Sequence, residues 1–172
     1  MANITFNFDE LMKKPHITPE RDEQGVFYGY KVLLRRRNGI YSPTYEVMWN
    51  DDGSLDADVC PKDNNRNGIY FCKTMDADEL LYIYRMYCNR MRDMRSWMGN
   101  TSFDIYEVLI VKCALSGDVV IETSQGFRAH KAQIVEVLID GNWTSYQDYK
   151  ERADAYSRRN PQITYEDWEK EY

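Results

Sequence analysis

The segment from Asp104 to Ala114 constrains this chain more than any other, because its centre, Val108-Leu109-Ile110-Val111, is apolar on both alternating faces. Strand side chains point alternately to opposite sides, so such a run must be covered from both and predicts a central strand. His130 to Ile139 supplies a second long strand, with Val135, Val137 and Ile139 on one side and Ile134 and Leu138 on the other. Phe27 to Arg35 is rich in Tyr and Val. Asn38-Gly39 then predicts the two positive-φ positions of a type I′ turn, and Pro43 marks the return run Ile40 to Trp49 as an edge. Asn67-Gly68 opens Ile69-Tyr70-Phe71-Cys72, a short strand entering the core; Ser116-Gly117-Asp118 predicts a turn into Val119-Val120-Ile121, and Asp140-Gly141 closes the last strand.

One helix is clear between these runs. Leu80, Ile83, Tyr84, Tyr87, Met91, Met94 and Met98 recur at helical spacing, Asp76 with Glu79 suits a capping box, and Gly99-Asn100 supplies a stop. Arg85, Arg92 and Arg95 form a stripe beside that apolar face. A second helix is expected from Thr144 with Gln147 onward, placing Tyr146, Tyr149, Ala153 and Tyr156 on one face. After Pro161, Thr164 caps a final turn bearing Tyr165, Trp168 and Tyr172. The loop 50–67 is polar; with Gly53 at the central position of a calcium loop, the first and last ligand positions would be Met48 and Val59, so it reads as a solvated turn. The whole predicts a single α+β domain: a mainly antiparallel β-sheet of about six strands, one long helix after the third strand and a helical C-terminal tail. Its parts are an N-terminal arm (1–25), a core (26–141) and an aromatic extension (142–172).

Charge and reactive side chains narrow the function. The formal charge is -6 and the pI near 5, which argues against non-specific nucleic-acid binding. The charge is uneven: Lys31, Arg35, Arg36 and Arg37 face only Glu46 within 26–50, and Arg85, Arg90, Arg92 and Arg95 face only Asp93 within 85–95. These clusters suit a specific acidic or phosphate-bearing partner. Cys60, Cys72, Cys88 and Cys113 match no zinc-ligand spacing, and His16 and His130 lie far apart. No metal or cofactor is therefore expected, and Cys72, Cys88 and Cys113 read as small core residues of a reducing compartment. No apolar run approaches the ~18 residues needed to span a bilayer. The start Met1-Ala2-Asn3-Ile4-Thr5 has neither a basic region nor an apolar one, so a cytoplasmic protein without membrane contact is expected. Signatures such as GxSxG, a P-loop, GxGxxG after a strand and HExxH are missing.

Asn67-Gly68-Ile69-Tyr70-Phe71-Cys72 followed by a helix, then Tyr106-Glu107-Val108-Leu109-Ile110-Val111-Lys112-Cys113 and the Gly117-Asp118 turn, resembles the ADP-ribosyltransferase superfamily. The order of elements over about 27–139 is also similar to small phage- and bacterium-encoded domains of unknown function. The superfamily resemblance implies that Tyr70 would stack on the nicotinamide of NAD, Arg35 would stand for the strand arginine and Glu136 for the late-strand catalytic acid. The first strand, Tyr28-Gly29-Tyr30-Lys31-Val32, has no His, no Ser-Thr-Ser follows and no Glu-x-Glu stands on the late strand around Glu136, which implies a catalytically degenerate member.

The expectation is accordingly a non-enzymatic interaction protein: a phage or mobile-element accessory protein that binds and inhibits a host defence protein or ribonucleoprotein complex in the host cytosol. Arg36, Arg37, Arg85, Arg92, Arg95, Tyr165, Trp168 and Tyr172 are its candidate contacts, because Arg, Tyr and Trp dominate interface hot spots. Two alternatives stand beside it. One is an NAD-using enzyme built on Tyr70, Arg35 and Glu136; the other is a self-associating structural phage component.

Overall fold

Two-sided burial of the central strand is met by a sheet that curls round on itself, with a helix against each side. The computed structural model describes residues 23–43, 47–62, 64–96, 105–123 and 126–159, and the side chains of these except for 92–96, 122–123 and 155–159. In chain order the described elements are β1 (Phe27–Arg36), β2 (Gly39–Tyr41), β3 (Ser54–Asp56), β4 (Ile69–Cys72), α1 (Asp78–Ser96), β5 (Ile105–Thr123), β6 (Gly126–Ile139), β7 (Asn142–Ser145) and α2 (Tyr146–Arg159). The fold is α+β and mainly antiparallel, as expected. The described sheet has 7 strands, because the polar loop contributes β3, and α1 follows the fourth strand instead of the third.

The pairing closes a ring. β1 pairs with β5, β5 with β6, β6 with β4, and β4 returns to β1 through the single pair Tyr30↔Cys72. One edge of β6 carries β5; the other carries β4, then β3, then β7 in succession. β2 extends the sheet from the end of β1. Three register irregularities between β5 and β6, at Lys112/Cys113, Ser116/Val119 and Ile121/Thr123, supply the bend that closure demands. One of them corrects the sequence reading: Gly117-Asp118 is a bulge inside a continuous strand, with Gly117 at φ 71, and not a chain reversal. A Gly in the left-handed region serves both, so the dipeptide alone does not tell them apart.

Turn and cap positions shift in other places. The β1–β2 reversal sits on Arg37-Asn38, and Gly39 alone takes positive φ, so it is not a type I′ turn. Asp140-Gly141, with φ 49 and 79, has that character between Ile139 and its partner Asn142. α1 begins one step later than Asp76 would cap it, the Leu81 amide donating to the Ala77 carbonyl. Thr144 belongs to β7, so the cap of α2 is Ser145, whose Oγ accepts the Asp148 amide at 3.2 Å.

The double-faced reading of β5 holds. Leu109, Val111, Cys113 and Leu115 join Leu33, Phe71, Phe127, Ile134 and Val137 in the inner cluster, which α2 enters through Tyr149. Ile110 points the other way, into a cluster with Tyr30, Val32, Cys72, Ala77 and Leu80 that α1 covers. Ile83 and Tyr84 of α1 pack on this second cluster, which is the apolar face expected from their spacing. β7 and the first turns of α2 thus pack directly on the core sheet.

Ring closure needs the β1 and β4 chains close together at Gly29, where a Cβ would lie 2.7 Å from Phe71 Cβ and 3.0 Å from its Cγ. Those atoms sit next to the backbone and cannot swing away. Gly29→Ala is expected to cost about 2–3 kcal/mol in urea unfolding; an unchanged midpoint would show that β1 and β4 can separate there without penalty.

Candidate functional site

The ladder register distributes the three residues of the NAD reading. Tyr70 lies on β4 with 42% exposure, its hydroxyl donating to the Arg66 carbonyl at 2.8 Å. Its ladder partner on β6 is Arg128, whereas Glu136 stands farther along β6, between Lys112 and Ser145. The strand path from 128 to 136 is roughly 26 Å. Arg35 is on the inner face of β1, only 8% exposed, and opposite Glu107 on β5. Its Nε and Nη2 reach Glu107 Oε1 at 2.7 and 2.6 Å. Tyr149 donates to the same oxygen at 3.4 Å, and burial, reinforced by the Glu107 charge, pushes the Tyr149 hydroxyl well above the usual tyrosine range. Arg35 thus ties α2 to the sheet, and it does not converge with Tyr70 and Glu136.

Basic side chains account for all three of the buried charged residues described: Arg35, Lys73 and Arg128. Arg128 is 2% exposed and directs Nη1 to the Asn67 carbonyl at 2.9 Å and Nη2 to the Lys62 carbonyl at 3.0 Å, organising the loop before β4. Lys73, also 2% exposed, holds its ammonium 5.3 Å from the Phe127 ring centroid. Lys31 reaches across the β1–β4 seam to donate to the Tyr70 carbonyl at 2.8 Å, and lies over the Phe71 ring. Burial lowers the pKa of both lysines; for Lys31, Cys72, Cys113 and Glu79 partly offset the shift. Sequence patterning passed over Lys73 and Arg128. Their one signal is placement: each lies beside core strand residues, Lys73 after Cys72 and Arg128 between Phe127 and Ala129.

The cysteines are free thiols. Cys72 and Cys113 are buried core residues; burial, with the Glu79 charge, pushes Cys72 up to about 12, and burial raises Cys113 further. Cys60 donates to Asp118 Oδ2 at 2.7 Å, and that bond raises its pKa, so the bulge in β5 holds a protonated thiol rather than a nucleophile. Among the described residues no group of three His, Cys, Asp or Glu could hold a metal ion, and no helix is long and apolar enough to cross a membrane.

Among the exposed large apolar side chains, two stand together on α1. Tyr82 and Met86 are 42% and 39% exposed and stand one turn apart, opposite the face that packs on the sheet. Arg85 and Arg90 are exposed on either side of this pair, and the Arg90 guanidinium lies 5.6 Å from the Tyr87 ring centroid. The Arg92 and Arg95 side chains, and Tyr165, Trp168 and Tyr172, lie outside the described residues. At the β1–β2 tip Arg37 is exposed and Arg36 lies over the Tyr41 ring at 5.4 Å. No family model, curated protein or solved structure matches the chain.

Lys73 allows a direct test of its burial. Because its folded pKa lies below the ordinary 10.5, the folded state binds fewer protons than the unfolded chain between the two values, and stability rises with pH across that window. Desolvating an ammonium costs several kcal/mol, more than the ~2 kcal/mol an aromatic face returns. Lys73→Met is therefore expected to stabilise the chain by on the order of 1 kcal/mol at neutral pH. The gain should shrink as pH approaches 10.5 in paired urea titrations. Destabilisation at neutral pH would show that the Phe127 contact outweighs the desolvation.

Proposed function

We propose that this chain is a non-enzymatic interaction protein whose contact surface is the outer face of α1. The observation that carries the reading is the exposed Tyr82–Met86 pair flanked by Arg85 and Arg90, on a helix whose other face is occupied by the sheet. An apolar pair between arginines offers both hot-spot side chains and positive charge, and so suits a partner with an acidic rim around an apolar anchor. In its finer form the proposal is a phage or mobile-element accessory protein that binds and inhibits a host defence complex in the cytosol, motivated by an order of elements over about 27–139 similar to that of small phage- and bacterium-encoded domains. The Arg35–Glu107 pair favours a structural role for that arginine over NAD chemistry.

The test compares wild-type bait with Tyr82→Ala/Met86→Ala and Arg85→Glu/Arg90→Glu in bacterial lysate, alongside thermal melts. Both variants should lose at least one protein that the wild type retains, with affinity lower by about 2 kcal/mol and melting temperatures close to wild type. An identical set of captured proteins for all three baits would remove the proposal. A thermal shift on adding NAD that disappears in Tyr70→Ala would favour the enzyme instead.

A further inference from the structure

The register of the sheet carries one row of side chains out from beneath α1. Val108 of β5 packs on the cluster that α1 covers, and its ladder partner is Leu34 of β1. Leu34 stands opposite Tyr41 of β2, and Tyr41 opposite Met48. Directly opposed residues share a face, so all four lie on the α1 side of the sheet. Trp49, buried in the inner cluster and donating Nε1–H to Ser42 Oγ at 2.9 Å, fixes the alternation that sends Met48 the other way. Burial falls along the row: Leu34 is fully buried, Tyr41 half-buried and Met48 53% exposed.

α1 borders this shelf. Its Tyr87 hydroxyl donates to the Pro43 carbonyl at 3.3 Å, two residues past the end of β2. Arg90 lies on the Tyr87 ring, and Met86 stands one turn before Arg90, so both flank the side of α1 that meets the β2 hairpin. On the opposite rim the Arg36 guanidinium lies over the Tyr41 ring. The segments 34–43, 47–50 and 80–91 contain Arg35, Arg36, Arg37, Arg85 and Arg90 and neither Asp nor Glu. Arg35 is taken up by Glu107 on the inner face. This border is therefore cationic on a chain of net charge -6, and the floor between its arginines is apolar.

We infer that the Tyr41–Met48 shelf and the Met86–Arg90 flank of α1 form a single groove that takes an acidic segment of a partner protein. An apolar side chain of that segment seats on the two methionines, and its carboxylates face Arg36 and Arg90. The inference rests on the reading of α1 as a contact surface, and adds to it the β2 hairpin and the chemistry of the bound segment. Unbranched, polarizable methionines accommodate varied apolar side chains, and paired arginines select carboxylates. A bare phosphate backbone would leave the methionines without an apolar counterpart, which favours a polypeptide.

The test pans a random peptide library on the full chain and measures the best retained peptide by fluorescence anisotropy. Retained peptides are expected to carry acidic residues around an apolar one. The best peptide should move the methyl resonances of both Met48 and Met86, assigned from Met48→Leu and Met86→Leu. Met48→Glu and Arg90→Glu should each weaken binding about tenfold or more, and Met48→Lys far less than Met48→Glu. Melting temperatures should stay close to wild type, because both positions are exposed. Raising salt should weaken the complex. No retained peptide, retained peptides without an acidic excess, or a peptide that moves Met86 and not Met48 would overturn the inference. So would a single-stranded oligonucleotide that moves both signals at lower concentration than the peptide, which would assign the groove to phosphate. The two readings fail separately. Binding lost in Tyr82→Ala/Met86→Ala and kept in Met48→Glu removes the groove alone, whereas binding kept in Tyr82→Ala/Met86→Ala removes the proposed function with it.

Discussion

Covering one strand from both sides is the requirement to which the rest of the molecule answers. Val111 and Cys113 are completely buried on one face of β5, while Ile110 is buried on the other. One layer cannot satisfy that, and a flat sheet with helices above and below would leave the edges of a small domain open. Here the sheet bends at the three β5–β6 irregularities until β4 meets β1, so that the inner face of β5 is covered partly by its own sheet and partly by Tyr149. The outer face is left to α1. The two helices thereby divide the work: α2 contributes to the core, and α1 shields the second cluster with half of its circumference and offers the other half to solvent.

The interior also shows how a chain with an acidic surplus manages positive charge. Arg35 is paired with a carboxylate, Arg128 with backbone carbonyls and Lys73 with an aromatic face. Each device has a different reach. The Arg35 pair links strand to helix through Tyr149, Arg128 shapes the loop that delivers the chain into β4, and Lys73 acts locally on Phe127. The negative charge meanwhile stays largely outside, which leaves the arginines of α1 as a local exception on an acidic molecule.

Long elements were legible because their patterns are local. The apolar stripe of α1 and the two-faced run of β5 follow from periodicity and burial alone. What escaped depends on partners distant in sequence. β3 is a strand only because residues 131–133 lie beside it, and nothing in Ser54-Leu55-Asp56 announces them. The bulge at Gly117 and a turn there use the same residues, and only the continuing ladder with β6 decides between them. The sequence marks Arg35 only as the stand-in for a strand arginine, whereas its contact in the fold is Glu107, a partner no spacing rule connects to it.

The seam between β1 and β4 has a consequence for motion. Elsewhere the ring is held by extended ladders, but here one residue pair, a lysine bridging to the Tyr70 carbonyl and the close approach at Gly29 hold two strands together. Cooperative opening follows the path of fewest shared hydrogen bonds. Amide protons of β4 that face β1 should therefore exchange with solvent faster than those of β5, and transient parting along this line would uncover Phe71 and Phe127 while the rest of the barrel stays folded.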